Sequence, residues 1–372
     1  MTYGNVNVDT VTTSTPQGVL GAGDASIMKN RIINGAMTVS QYNGTSAVTP
    51  TANAYVIDRF FYFCGGVASK FTLQQLSASS PVGFANYLGA TSQSAYSIGS
   101  TDRFGIYQGI EGFNTYDLQW GTANAKTVTL SFWVQSSLTG TFGGSLQNYA
   151  QSRSYPFTYS IPVANTWTQI SVTIAGDTTG TWVGATNAGS MLLVFGMGIG
   201  STYSGTANTW ASGNYYAPTG ATSVVGTSGA TFYITGVQLE VGSSATGFEY
   251  VNYQTSLANC QRYYYNLETG YAAGAGQPIG LAFGISTSLF DVCVPFPVTM
   301  RTTPSIYQNT GTNYYQFYNA LTAQNFTSFK IDQVSTTSIF LQNNSAITLT
   351  VGQGGVVYAN NTNCQVGFSA EL

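Results

Sequence analysis

TFYITGVQLEVGSSATGFEYVNYQTSLANCQRYYY, residues 231–265, decides how the chain is organised. Alternating apolar residues make 231–240 a strand, and the Gly and Ser residues that follow make a turn. An extended aromatic crossing then leads into a short helix, because Leu257, Cys260, Gln261 and Tyr264 recur at helical spacing with Thr255 or Ser256 as N-cap. Strand-rich sequence lies on both sides of this seam. Tyr263, Tyr264 and Tyr265 therefore read as packing between domains or between protomers.

The chain has 372 residues, beyond the roughly 250 to 300 at which one core stops growing, so two domains are expected. Hydrophobic residues make up 43% but charged residues only 6%, against about 25% in ordinary soluble domains. The surface must then be built from Ser, Thr, Asn, Gln, Gly and Tyr. A net charge of −3 offers no basic footprint for phosphates, which argues against nucleic acid and anionic membranes as partners. No apolar run reaches the length that spans a bilayer, and the N-terminus lacks a basic region followed by an apolar one, so no membrane insertion and synthesis in the cytoplasm are expected. Cys64, Cys260, Cys293 and Cys364 are isolated in sequence and read as small hydrophobes.

Residues 1–30 carry one short alternation, Val6, Val8 and Val11, and are expected to form an extended arm that attaches to another chain. From 31 to 250 a series of short strands begins. Asn43-Gly44 turns the first pair, and candidates follow at 69–76, 104–110, 127–135, 156–163, 167–175, 190–199 and 231–240. In KTVTLSFWV, Val128, Leu130, Phe132 and Val134 share one face. Many strands and almost no helical period predict an all-β fold, an antiparallel jelly-roll β-sandwich over 31–250. A second, smaller β-sandwich is expected over 251–372, with strands at 281–287, 289–294, 304–309, 313–319, 326–333, 338–342, 346–350, 355–359 and 363–370. Residues 200–230 show no strand pattern, and loops of that length are usually functional or mobile.

The chain contains no histidine, which removes Ser-His-Asp and Cys-His catalysis and the usual general base near neutral pH. Paired carboxylates remain for glycoside hydrolysis, with Asp58, Asp102, Glu111, Asp117, Glu240 and Glu249 as candidates. Each is more often a turn cap or an arginine partner, and Asp58-Arg59 and Asp102-Arg103 suggest local pairing, so an enzyme is not expected. Sugar recognition needs flat aromatic faces with amides and hydroxyls around them. Trp120, Trp182, Tyr203, Trp210, Tyr215 and Tyr216 lie in turn-rich segments and are the candidate glycan-binding residues. A structural calcium, held by oxygen ligands, would be sought at Asp58 and Glu240, although neither sits in a calcium-loop motif.

NRIINGAMTVSQ followed by YVIDRFFYF, the QLEVG to CQRYY segment and the terminal NCQVGFSAEL resemble a family of tailed-phage and prophage tail-fibre or minor structural proteins. Their jelly-roll module is similar to those of carbohydrate-binding modules. The resemblance runs over about residues 30–372 in order of motifs. It implies a virion protein, commonly a homotrimer, fixed to other virion proteins through residues 1–30. Such a protein presents its β-domains to a glycan or protein on the host surface. A capsid decoration or head-fibre protein whose arm holds coat subunits is the alternative, and a polysaccharide depolymerase is a third.

Overall fold

The computed structural model describes residues 28–269, 276–319 and 322–372. Residues 1–27 of the expected arm lie outside the described residues. Lys29 to Arg31 already pack on the first sandwich: the Lys29 ammonium donates to the Gly247 carbonyl at 2.6 Å and the Arg31 amide to the Leu239 carbonyl at 2.9 Å.

The first sandwich pairs two antiparallel sheets. Strands Phe71–Leu76, Tyr87–Ser92, Thr231–Val241, Val128–Ser136 and Thr168–Ile174 lie side by side in one. Ala54–Ile57, Phe60–Gly65, Arg103–Glu111, Gly189–Ile199, Gly140–Asn148, Arg153–Ile161 and Ala211–Ser212 form the other. The alternation expected in 128–134 is realised. Val128, Leu130, Phe132 and Val134 are buried between the sheets with Phe142, Phe157, Phe195 and Leu239. Hairpins of consecutive strands, such as Phe71–Leu76 with Tyr87–Ser92, alternate with neighbours far apart in sequence, such as Arg103–Glu111 beside Gly189–Ile199, the ordering of a jelly roll.

The second unit packs a sheet of Tyr264–Thr269, Gln365–Ser369 and Ser305–Gln308 against seven strands ordered Thr322–Phe326, Tyr315–Asn319, Gly354–Ala359, Gln277–Gly284, Phe290–Pro295, Ser338–Asn343 and Phe329–Val334. Its core of Phe290, Val292, Tyr315, Phe317, Leu341, Val357 and Phe368 is separate from the first.

The differences from the sequence reading have local causes. Gly140–Asn148, TFGGSLQN in its last eight positions, escapes notice because glycines dilute its pattern, yet Gly143 and Gly144 are needed where Pro218 and the Val194 carbonyl press on the strand. Residues 346–350 alternate but form no strand. Ile347 and Leu349 plug the core from a loop whose amides bond to Ser288 and Thr287. Residues 200–218 cover the outer face of the first seven-stranded sheet, where Phe63, Leu192 and Val194 would otherwise face water beside Phe61 and Tyr107. That segment carries no strand period because the sheet beneath it supplies its order.

At the seam the helix is Tyr253–Gln261, and its N-cap is Asn252, whose side chain accepts from the Thr255 amide at 2.9 Å, rather than Thr255 or Ser256. The two units meet through Tyr42 stacked on Tyr264, with ring centroids 3.7 Å apart. Arg262 pairs with Glu111 at 3.1 Å, and Arg59 pairs with Glu371 while lying 3.5 Å over the Tyr263 ring.

Candidate functional site

The predicted aromatic residues separate into two groups. Trp120, Trp182 and Trp210 come together from three loops, whereas Tyr203, Tyr215 and Tyr216 belong to the cover of the outer sheet face.

Trp120 ends the turn that follows Arg103–Glu111, after short 3-10 segments at Gly112–Asn114 and Tyr116–Leu118. Gln119 and Gly121 both adopt left-handed backbone, φ 55° and +85°, which turns the indole between them back onto the core. Gly121 is also a close approach: a Cβ there would lie 2.9 Å from the Gly180 carbonyl oxygen and 3.1 Å from Trp182 Cδ1. This fit brings the loop of Trp182 against that of Trp120. Their rings stand edge to face with centroids 4.8 Å apart, and Trp210 adds itself at 5.4 Å from Trp120 and 5.7 Å from Trp182. Each indole N–H is already spent on a backbone carbonyl, Trp120 on Lys126, Trp182 on Thr179 and Trp210 on Ala175. Trp120 is 7% exposed and belongs to the core, so the ring surface a ligand meets is chiefly that of Trp182, and none of the three offers a donor.

The Trp182 loop is anchored by an ion pair missing from the sequence reading. Asp177 is 2% exposed at its side chain and meets Arg153 through two bonds of 2.7 Å, while also accepting from the Thr179 amide and hydroxyl. Burial alone would push the Asp177 carboxyl up, but the guanidinium and the Thr179 donors hold it below the usual range. The Asp177 carbonyl also accepts from the Gly121 amide at 2.7 Å, which ties the two tryptophan loops directly.

Beside the indoles opens a cleft of about 400 Å³, lined by Trp120, Trp182, Tyr116, Gln119, Thr122 and Asn124 among others. It falls within the size range of small-ligand sites, roughly 300–1,000 Å³. Tyr116 is 56% exposed at the rim. The Gln119 and Asn124 side-chain amides are exposed and form no hydrogen bond among the described residues, while Thr122 is held by its bond to the Gln119 carbonyl. No carboxylate, lysine or arginine lines this cleft. Its chemistry is ring surface plus free amides. Tyr116, Gln119 and Asn124 were missed because single polar or aromatic residues in a turn carry no pattern.

Tyr216 is 4% exposed, so its expected ligand role is corrected to packing: it lies against Phe63 at 5.1 Å and edge-on to Tyr203 at 5.7 Å. Arg103 lies 4.7 Å over the Tyr203 ring and 5.2 Å over Tyr216. The Tyr215 ring packs on Gly205 and Gly213, and its carbonyl accepts from Gln147 at 2.6 Å. Trp210 fits beneath the cleft wall and touches Tyr155 at 5.3 Å. These residues order a loop over an apolar sheet face.

The candidate acids are also engaged. Asp58 accepts from the backbone and side-chain amides of Gln41, Asp102 from the Tyr96 hydroxyl and the Gly99 amide, and Asp117 from Arg31. Glu240 accepts from Gln238 and from the amide and hydroxyl of Thr246. The adjacent Asp-Arg pairs do not bond to each other as expected, since Arg59 turns to Glu371 and Arg103 to the tyrosine rings. Asp58 and Glu240 are also the positions at which a structural calcium would be sought. N–H and O–H donors occupy both carboxylates, and among the described residues no three Cys, Asp or Glu come together as a metal site.

A larger cleft of about 620 Å³ lies at the seam, walled by Phe84, Phe248 and Tyr250 and reached by Arg31, Glu111 and Arg262. Its charges hold the protein together, Arg31 with Asp117, Arg262 with Glu111 and Glu249 with the Asn30 amide. The tryptophan cleft, with its free rim, is the better candidate site.

No family model matches the chain, and no curated protein matches it. Among solved structures it is similar to a CBM4 carbohydrate-binding module, at 12% identity and TM-score 0.26, over 50% of this chain and 95% of that one. It is also similar to a family 11 carbohydrate-binding module of a cellulosomal cellulase of Clostridium thermocellum, at 12% identity and TM-score 0.26, over 55% and 99% of the two chains. A family 30 carbohydrate-binding module aligns at 10% identity and TM-score 0.26, over 57% and 92%. Likeness of this degree says nothing of what the cleft binds.

Proposed function

We propose that the chain is a non-catalytic glycan-binding protein of a bacteriophage virion, a fibre or receptor-binding protein that contacts the host surface through the tryptophan cleft. The observation that carries the binding reading is the cleft itself. The partly exposed Trp182 indole, its N–H already satisfied and its ring braced by the buried Trp120, forms the wall, and two uncommitted amides, Gln119 and Asn124, stand at its rim. An apolar ring wall suits the C–H face of a pyranose, and the amides can both donate to and accept from its hydroxyls. A lining without carboxylates gives neither the acid nor the nucleophile that glycoside hydrolysis requires, which favours binding over cleavage. The virion assignment rests on the sequence resemblance. Several weak sites on one particle would add avidity without tight individual contacts.

The test is titration of the purified protein with host-surface polysaccharides, followed by tryptophan fluorescence, with blocking of phage adsorption measured in parallel. Saturable binding should fall about tenfold or more in Trp182→Ala, about 1.4 kcal/mol or more. The rim double variant Gln119→Ala/Asn124→Ala should bind weakly while keeping the wild-type melting temperature. Binding unaffected by all three substitutions would remove the cleft from the account. Protein that binds host cells through no glycan would point to a protein receptor instead.

A further inference from the structure

The seam cleft of about 620 Å³ holds neutral groups as well as charges, and the neutral ones are unused. On one side Phe84, Phe248 and Tyr250 pack into one aromatic wall, Phe84 and Phe248 with centroids 5.0 Å apart and Tyr250 at 5.7 Å and 5.0 Å from them. Tyr250 is 63% exposed and the two phenylalanines are half-buried, so ring surface stays open. Gly83 makes room for this wall: its φ is +94°, and a Cβ there would lie 2.6 Å from the Tyr250 hydroxyl oxygen. On the other side the helix Tyr253–Gln261 brings Thr255, Ser256 and Asn259, one turn apart on one face, to the lining. None of these three side chains forms a hydrogen bond among the described residues, and neither does that of Asn114 across the cleft. Ser256 is the telling one, because it is 7% exposed. Folded proteins seldom leave a buried hydroxyl without a partner.

We propose that this cleft is a second binding site, separate from the tryptophan cleft, and that its ligand is a short neutral saccharide. The rings suit the C–H face of a pyranose, while the Thr255 and Ser256 hydroxyls and the Asn259 and Asn114 amides can each donate to and accept from its hydroxyls. The charged groups of the lining exclude an acidic ligand. Arg31 is paired with Asp117 and Arg262 with Glu111, so no cation of the lining is free to meet an anion, which would also face the Glu249 carboxylate. A wholly apolar ligand fails for the opposite reason, since it would cover the helix's free hydroxyls and amide without partners. The volume lies within the range of small-ligand clefts, roughly 300–1,000 Å³, and suits a disaccharide or trisaccharide. The first sandwich supplies the rings and the helix leading into the second unit supplies the polar groups, so a bound saccharide ties the two units together.

The Trp182→Ala protein isolates this site, because its tryptophan cleft has lost the wall. Its calorimetric titration with maltotriose, cellotriose and N,N′-diacetylchitobiose should give saturable binding of at least one of them. Adding Ser256→Ala and Asn259→Ala should weaken that binding about tenfold or more, with a thermal melt confirming that both proteins are folded. Digalacturonate, the acidic comparison, should bind about tenfold more weakly than the neutral probe. Saturating neutral probe should also raise the melting temperature of Trp182→Ala and not that of the further variant. Absence of saturable binding of every neutral probe overturns the proposal, as does binding that survives Ser256→Ala/Asn259→Ala or a preference for digalacturonate. Failure of the tryptophan-cleft reading shows separately, as wild type and Trp182→Ala binding the same saccharides with equal affinity and stoichiometry.

Discussion

Glu371→Gln should destabilise the first sandwich by about 3–5 kcal/mol although residue 371 belongs to the other unit, because it strands a buried charge. The Arg59 side chain is 1% exposed and that of Glu371 5%. Apart from Glu371, the guanidinium has among the described residues only the Gly109 carbonyl at 2.6 Å and the face of Tyr263. Neither neutralises it. Arg59→Met should cost a similar amount by leaving Glu371 unpaired, since its Oε1 already lacks a partner. The double variant Arg59→Met/Glu371→Gln removes both charges, so it should be less destabilised than the two single losses added together, with a coupling of about 2–3 kcal/mol. All five tryptophans lie between residues 120 and 210, so urea unfolding followed by tryptophan fluorescence reports on the sandwich that holds Arg59. Single losses that add within about 0.5 kcal/mol would refute the reasoning, because independent sites behave that way.

Three further outcomes follow from individual side chains. Burial pushes the Asp58 carboxyl up to about 6 despite its two Gln41 donors, so the folded state holds this proton more tightly than the unfolded chain. Stability from this group is then greatest below pH 4 and falls by about 3 kcal/mol as pH rises to 6; urea midpoints of the wild type should fall relative to Asp58→Asn across that window, and parallel profiles would sink the assignment. Gly121→Ala forces a Cβ toward the Gly180 carbonyl at a left-handed φ, so it should cost about 1–3 kcal/mol and weaken polysaccharide binding, read by thermal melting and titration. Removal of divalent metal with EDTA should leave the melting temperature unchanged, because hydrogen-bond donors fill the Asp58 and Glu240 carboxylates; a drop restored by calcium would contradict this.

What could be read from the residues alone was whatever depends on neighbours in sequence. The period of two in 128–134 places Val128, Leu130, Phe132 and Val134 in a core, and the aromatic run 263–265 marks the seam, because alternation and turn chemistry are properties of consecutive residues. The lack of histidine by itself excludes whole classes of catalysis. Loop aromatics behaved differently. Trp120 and Trp182 line a cleft and Tyr216 is a packing residue, yet all three sit in similar Gly- and Thr-rich turns; which they become depends on whether an uncovered sheet face lies beneath them. The same holds for charge. Arg59 next to Asp58 looks like a local pair, but the two form the turn between Ala54–Ile57 and Phe60–Gly65, where Arg59 takes a left-handed φ of 71°, and the buried guanidinium finds its carboxylate 312 residues away at Glu371. Pairings of that separation are set by how the two sandwiches are laid together, and no local pattern encodes them.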